Sequence, residues 1–329
     1  MRTFFGLLLT LALCAQTPPK QTPQKPGDDE LASIKVDVDL VNVLASVRDK
    51  KGMLIPNLEK NDFTILEDGK PQEIKYFTKE SDLPLTIGLL IDVSRSQENL
   101  IGIEQNAAFS FFSQVLRKKD EAFLISFGEE SELLQDYTSS PRLLQDGLKG
   151  LRVSSGVGGL GPGPVPTAGG PRGTVLYDAV YLAASEKLRT EVGRKVIVVI
   201  TDGVDEGSRL TINQAVESAQ KADAVIYSID YQDARFYGPF GNFGGGGETA
   251  LRKMSDETGG HVYKVDRKVT LEQVFKELQD EMRSQYSIAY TPSNDRKDGS
   301  YRKLEVKLSN KDYKAQARKG YYAIKPESH

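Results

Sequence analysis

Leu85-Thr-Ile-Gly-Leu-Leu-Ile-Asp-Val-Ser-Arg-Ser96 joins an uncharged aliphatic run to one acid and two hydroxyls at alternate positions. A run without polar alternation reads as a strand buried on both faces, as in a parallel sheet covered by helices. Ligands of such sheets bind just beyond the carboxyl ends of the strands. Asp92, Ser94 and Ser96 fall on that loop, where a turn lets the i, i+2 and i+4 oxygens converge. Oxygen donors of this kind suit a hard cation such as Mg²⁺. The same triplet also occurs in polar turns and helix N-caps, so by itself it does not single out a metal site.

Two further elements lie downstream, each where another strand-to-helix loop of the same sheet is expected. Thr174, in Gly173-Thr-Val-Leu-Tyr-Asp-Ala179, opens an apolar-periodic stretch running towards Leu188. Asp202, in Lys195-Val-Ile-Val-Val-Ile-Thr-Asp-Gly203, ends a second continuous apolar strand. With these residues in this order, Leu83 to Asp280 resembles the von Willebrand factor type A domain, whose metal-ion-dependent adhesion site is an Asp-x-Ser-x-Ser triplet, a Thr and an Asp. The resemblance implies that Ser94, Ser96 and Thr174 ligate Mg²⁺ directly, with Mn²⁺ or Ca²⁺ as alternatives, and that Asp92 and Asp202 act mostly through coordinated water. It further implies a protein partner whose acidic side chain completes the coordination shell, because few direct carboxylates leave the ion under-neutralised.

The 329 residues leave room for two domains, or for one large domain with a satellite. A formal net charge of −3 with no Lys/Arg run argues against nucleic acid as the main partner. Arg2 followed by an apolar Phe4–Leu13 segment makes residues 1–15 a signal peptide, too short to span a membrane as a mature helix. Cys14, the single cysteine, stands at the processing point; a lipid anchor there is the alternative to ordinary cleavage near Ala15, which Leu13 before it favours. Either route places the protein outside the cytoplasm, secreted, periplasmic or associated with the cell envelope, and the soluble product would have no disulfide. Residues 16–30, rich in Pro, Gln, Lys and Asp, read as a flexible linker.

Residues 31–82 show period-two segments, Ile34 to Val47 and Phe63 to Gly69, with Gly and Pro punctuation. Residues 283–325 return to the same texture in Gln285–Thr291, Tyr301–Leu308 and Tyr313–Arg318. Neither segment has enough strands to stand alone. The expectation is that both pair into one small β-sandwich-like domain, into which residues 83–282 are inserted as a doubly wound, mostly parallel α/β domain. An analogy to integrin β subunits, where a type A-like domain is inserted into a sandwich, points the same way. The chain also resembles secreted bacterial type A proteins that end in a segment of the Arg318-Lys-Gly-Tyr-Tyr322 kind. Within 83–282, helices are expected around Asn99–Leu116, Thr174–Leu188, Thr211–Lys221, Thr249–Thr258 and Leu271–Met282. Strands are expected around Ala122–Phe127, Val196–Ile200, Ala224–Ile229 and His261–Lys264.

Gly-rich stretches at 154–173 and 231–247 should lie on the metal-bearing rim, either as partner-contacting loops carrying Phe236, Tyr237, Phe240 and Phe243 or as excursions without assigned work. Gly156-Val-Gly-Gly-Leu-Gly161 has dinucleotide-binding spacing, but Pro162 and Pro164 prevent the helix that would carry the pyrophosphate. Two histidines, His261 and His329, leave no His-rich zinc site. No serine sits in a nucleophile elbow, and His261 reads as an ordinary strand residue. Asn294–Ser300 reads as a polar hairpin turn, Asp205 and Glu206 either as solvated or as tuning the field at the site, and Asp178 as structural. The leading expectation is thus a non-catalytic, metal-dependent protein-binding module in adhesion or envelope assembly. A metal-dependent enzyme or accessory subunit and a metal-free scaffold are the alternatives.

Overall fold

The computed structural model describes residues 40–79, 83–153, 173–233 and 245–324. Its first four strands are β1 (Val41–Arg48), β2 (Phe63–Glu67), β3 (Lys70–Gln72) and β4 (Ile74–Lys79). An alternating stretch comes next: β5 (Leu85–Asp92), α1 (Ile101–Val115), β6 (Glu121–Phe127), β7 (Ser131–Thr138), α2 (Pro141–Leu148), α3 (Leu176–Leu182), β8 (Arg194–Thr201), α4 (Ile212–Lys221), β9 (Ala224–Asp230), α5 (Gly245–Thr258), β10 (Val262–Lys264) and α6 (Leu271–Arg283). Four more strands close it: β11 (Tyr286–Tyr290), β12 (Tyr301–Leu308), β13 (Lys314–Ala317) and β14 (Gly320–Tyr322). The expected signal peptide, the linker, the first residues of the Ile34 strand, and the Gly-rich stretches at 154–172 and 234–244 with their aromatic residues lie outside the described residues.

The alternating stretch forms a six-stranded sheet in the order β10-β9-β8-β5-β6-β7. All pairings are parallel except that of β7, which runs antiparallel to β6 at one edge. Every residue of β5, β8 and β9 is buried, as a sheet covered on both faces demands. Leu85, Ile87, Leu89 and Ile91 pack towards α1, α2 and α6 through Phe111, Leu144 and Phe275. On the other face Leu90, Ile197 and Val199 meet α3, α4 and α5 through Val180, Ala219 and Met254. Gly88 makes room inside this layer, since a Cβ there would lie 2.3 Å from the Phe123 ring. The chain leaves β5 for β6 on one side and later returns to β8 on the other, so the carboxyl end of β5 is a switch point of the sheet.

The first and last strands form two antiparallel four-stranded sheets, β13-β1-β11-β4 and β14-β12-β2-β3. Each mixes the two ends of the chain: β1 lies between β11 and β13, and β2 pairs with β12. Their inward residues, among them Val43, Ile65, Tyr286, Ile288 and Leu304, share one core. The fold is thus a doubly wound, mostly parallel α/β layer whose sequence is inserted between the strands of antiparallel sheets. β7 and α2 are elements that the sequence reading did not include.

Candidate metal centre

Asp92 ends β5 with its carboxylate fully buried. Its Oδ1 accepts from the Ser94 amide at 2.8 Å, and its Oδ2 accepts from the Thr201 hydroxyl at 2.5 Å. The first bond closes the turn after the strand, and the second ties that turn to the end of β8. Thr201 Oγ1 also accepts from the Gly203 amide at 3.1 Å, so one hydroxyl fixes both strand-end acids in place.

From Asp92 the site continues through side chains. The Ser94 and Ser96 hydroxyls are 3.1 Å apart, and Ser96 Oγ donates to Asp202 Oδ2 at 2.7 Å. Asp202 Oδ1 accepts from the Val204 amide at 3.0 Å. Gly203, at φ +79°, takes the chain sharply away from the strand; a Cβ here would strike the Gly247 carbonyl oxygen at 2.5 Å. The start of α5 therefore rests directly on the Asp202–Gly203 backbone.

Thr174 reaches the same rim by its backbone. Its carbonyl oxygen accepts from the Glu206 and Gly207 amides at 3.1 and 3.0 Å, while the next amide, Val175, donates to the Gly128 carbonyl oxygen at 2.9 Å. Phe127, beside Gly128, accepts from the Val93 amide at 2.8 Å. Three loops are thus stitched together around the end of β6. Asp178 fastens α3 to this loop by accepting from the Arg209 and Leu210 amides, and Asp205 accepts from the Ser208 hydroxyl and the Tyr177 amide. Asp205 is therefore a loop fastener and not merely a solvated acid. Four of the five expected residues are joined through direct hydrogen bonds, and Thr174 is placed beside them by its neighbours.

The electrostatics favour a cation here. Desolvation pushes the Asp92 carboxyl up to about 7, the neighbouring Asp202 charge adds to the rise, and the Ser94 and Thr201 bonds oppose it. The donors are oxygens only, two carboxylates and hydroxyls, which match a hard divalent ion. Among the described residues no group of three or more His, Cys, Asp or Glu is placed to hold a metal, so an ion at this rim would depend on the hydroxyls.

Residues that the sequence reading did not single out stand behind the rim. Glu104 of α1 is fully buried, neither of its carboxylate oxygens has a hydrogen-bond partner, and desolvation raises its pKa well above the ordinary carboxylate value. Gln97, also fully buried, donates to the Tyr231 carbonyl oxygen at 3.1 Å. Asp230 ends β9 as Asp92 ends β5; burial raises its pKa, and Lys264 lies 3.7 Å away. Its signal was an apolar strand ending in an acid, the feature that marked Asp92. His261, just before β10, stacks edge-on with Tyr263, and burial lowers its pKa.

Residues 171–277 match the family model of the von Willebrand factor type A domain. No curated protein matches the chain. Among solved structures, BatB from Bacteroides thetaiotaomicron is 16% identical with a TM-score of 0.44, over 60% of this chain and 97% of its own. An aerotolerance-related membrane protein from Bacteroides fragilis NCTC 9343 is 16% identical with a TM-score of 0.42, over 60% of this chain and 98% of its own. Proximal thread matrix protein 1 from the mussel byssus, with a zinc-occupied MIDAS motif, is 13% identical with a TM-score of 0.44, over 66% of this chain and 50% of its own.

Proposed function

We propose that the von Willebrand factor type A domain carried by this chain is a metal-dependent adhesion module that captures a protein partner through an acidic side chain. The supporting observation is the hydrogen-bonded path from buried Asp92 through Ser94 and Ser96 to Asp202 across two strand ends. Ser94, Ser96 and Thr174 would hold a divalent ion, Mg²⁺ by preference, with Asp92 and Asp202 behind them. When bound, the ion supplies positive charge and a coordination position for a partner carboxylate. Thr201 keeps Asp92 oriented before anything binds. The Gly203 turn holds Asp202 against Ser96. The work proposed is binding and not catalysis, outside the cytoplasm at an envelope or in secretion, as residues 1–15 suggest.

Calorimetric titration with Mg²⁺ tests this, comparing the native protein with the Ser94→Ala, Ser96→Ala double variant, with and without an Asp- or Glu-containing peptide. Native binding that tightens with peptide and vanishes in the double variant supports the module. Peptide binding that persists in the variant and in chelator would remove the metal from the mechanism.

A further inference from the structure

A cavity of about 300 Å³ opens at the amino ends of β8 and β9, the edge of the sheet opposite the Asp92 loop. Leu44, Val192 and Val225 supply apolar wall, and Glu191, Arg194, Lys195, Asp223 and Arg318 the charge. It lies where β1 of the antiparallel sheets meets the foot of the parallel one. Nothing in the metal-site reading uses it.

Lys195 is the second residue of β8 and only 8% exposed. No hydrogen bond or ion pair to a described residue holds its ammonium. Burial draws its pKa down and Arg318 adds to that, while Asp223 and Glu191 pull it up. Arg318 spends one Nη on the Asp223 carboxylate and the other on the Asn42 carbonyl oxygen, and its buried Nε has no partner. Asp223 is thereby committed to Arg318. What remains unmatched is an ammonium and a guanidinium N–H, both donors without an acceptor, in a cavity walled partly by aliphatic side chains. Buried donors and charges of this kind cost free energy until an acceptor arrives.

We propose that this cavity binds a short-chain aliphatic carboxylate, its anionic head on Lys195 and Arg318 and its hydrocarbon body against Leu44, Val192 and Val225. Three cations against two carboxylates leave the lining with one positive charge in excess, which calls for one negative charge, and the apolar wall favours a hydrocarbon tail over a fully hydrated inorganic oxyanion.

The test is thermal unfolding of the mature protein with sodium butyrate, against equal sodium chloride, neutral butyramide and sodium phosphate. Butyrate at ~50 mM should raise the midpoint by about 5 °C, the shift for millimolar affinity. The shift should persist in Lys195→Arg and in the exposed control Lys311→Met, and disappear in Lys195→Met. Val192→Trp, at an exposed position on the cavity wall, should abolish the response without removing any charge, and it decides the matter if Lys195→Met fails to fold. Equal shifts from butyramide or chloride, or a full butyrate response in both Lys195→Met and Val192→Trp, would overturn the proposal. A response to phosphate alone would overturn the carboxylate assignment.

Discussion

Asp92 is fully buried with Asp202 nearby, and its pKa of about 7 makes the metal-free site a source of pH dependence. Its native pKa is raised above the unfolded value, so between about pH 4 and 7 the native state keeps a proton that the unfolded state has lost. Stability therefore falls as pH rises through that window, by on the order of 4 kcal/mol from this group, and stays low above it. Glu104 and Asp230, raised for the same first reason, add slope of the same sign. Urea unfolding in chelator from pH 4 to 8 should show the decline, and Asp92→Asn should flatten part of it; an unchanged slope would mean that Asp92 is ionised throughout. Asp92, at the end of β5, and Asp202, just after β8, were readable as acids closing apolar strands. Thr201 and Glu104 were not, since a threonine closing an apolar strand and an acid inside a helix look ordinary until their neighbours are in place.

Among the elements, α6 shows how far local sequence carries. Thr270 and Gln273 form a reciprocal capping box, and Leu271, Val274, Phe275, Leu278 and Met282 make one buried stripe at helical spacing. Phe275 stacks on Phe111 of α1 at 4.5 Å. Phe275→Ala should cost about 3–5 kcal/mol and Thr270→Ala about 1 kcal/mol, both read as shifts in urea midpoint. If Phe275→Ala cost no more than the cap, the α1–α6 contact would be peripheral. β7 and α2 escaped the sequence reading for opposite reasons. Ser131–Thr138 is a charged, half-exposed edge strand without clean alternation, as an edge protected from further pairing tends to be. Pro141–Leu148 is two turns long, with Pro at its start and only Leu144 and Leu148 buried, too short for a periodic signal. The central strands were legible because burial on both faces leaves no polar position to confuse them.

At the scale of the molecule, the antiparallel sheets tie the first and last described strands to each other and to the parallel layer. Inside them Glu67 of β2 accepts from the Tyr290 and Tyr321 hydroxyls at 2.6 and 2.9 Å and pairs with Arg302 at 3.3 Å, both charges nearly solvent-free. Glu67→Gln leaves Arg302 buried without its counter-charge and should cost about 3–5 kcal/mol in equilibrium unfolding; a loss below 1 kcal/mol would show the pair to be dispensable. A second polar cluster joins the two layers. Glu281, fully buried near the end of α6, accepts from Ser46 and Arg48 of β1 and from the Tyr263 hydroxyl, while Arg194 donates to the Met282 carbonyl oxygen. The other end of α6 comes after β10, whose next residue, Val265, donates to the carbonyl oxygen of Asp230 at the rim. A 13-residue helix of about 20 Å thus runs from the Asp230 edge of the parallel sheet to the antiparallel sheets. If binding at the rim shifts this helix, Glu281 is where the shift must be passed on or resisted. Hydrogen exchange with Mg²⁺ and an acidic peptide should therefore change in α6 and, through Glu281, in β1. In Glu281→Gln the change in α6 should remain while that in β1 is lost. Exchange unaltered in α6 of the native protein, under conditions where calorimetry shows binding, would confine the effect of the ligand to the rim and leave the antiparallel sheets as a passive support.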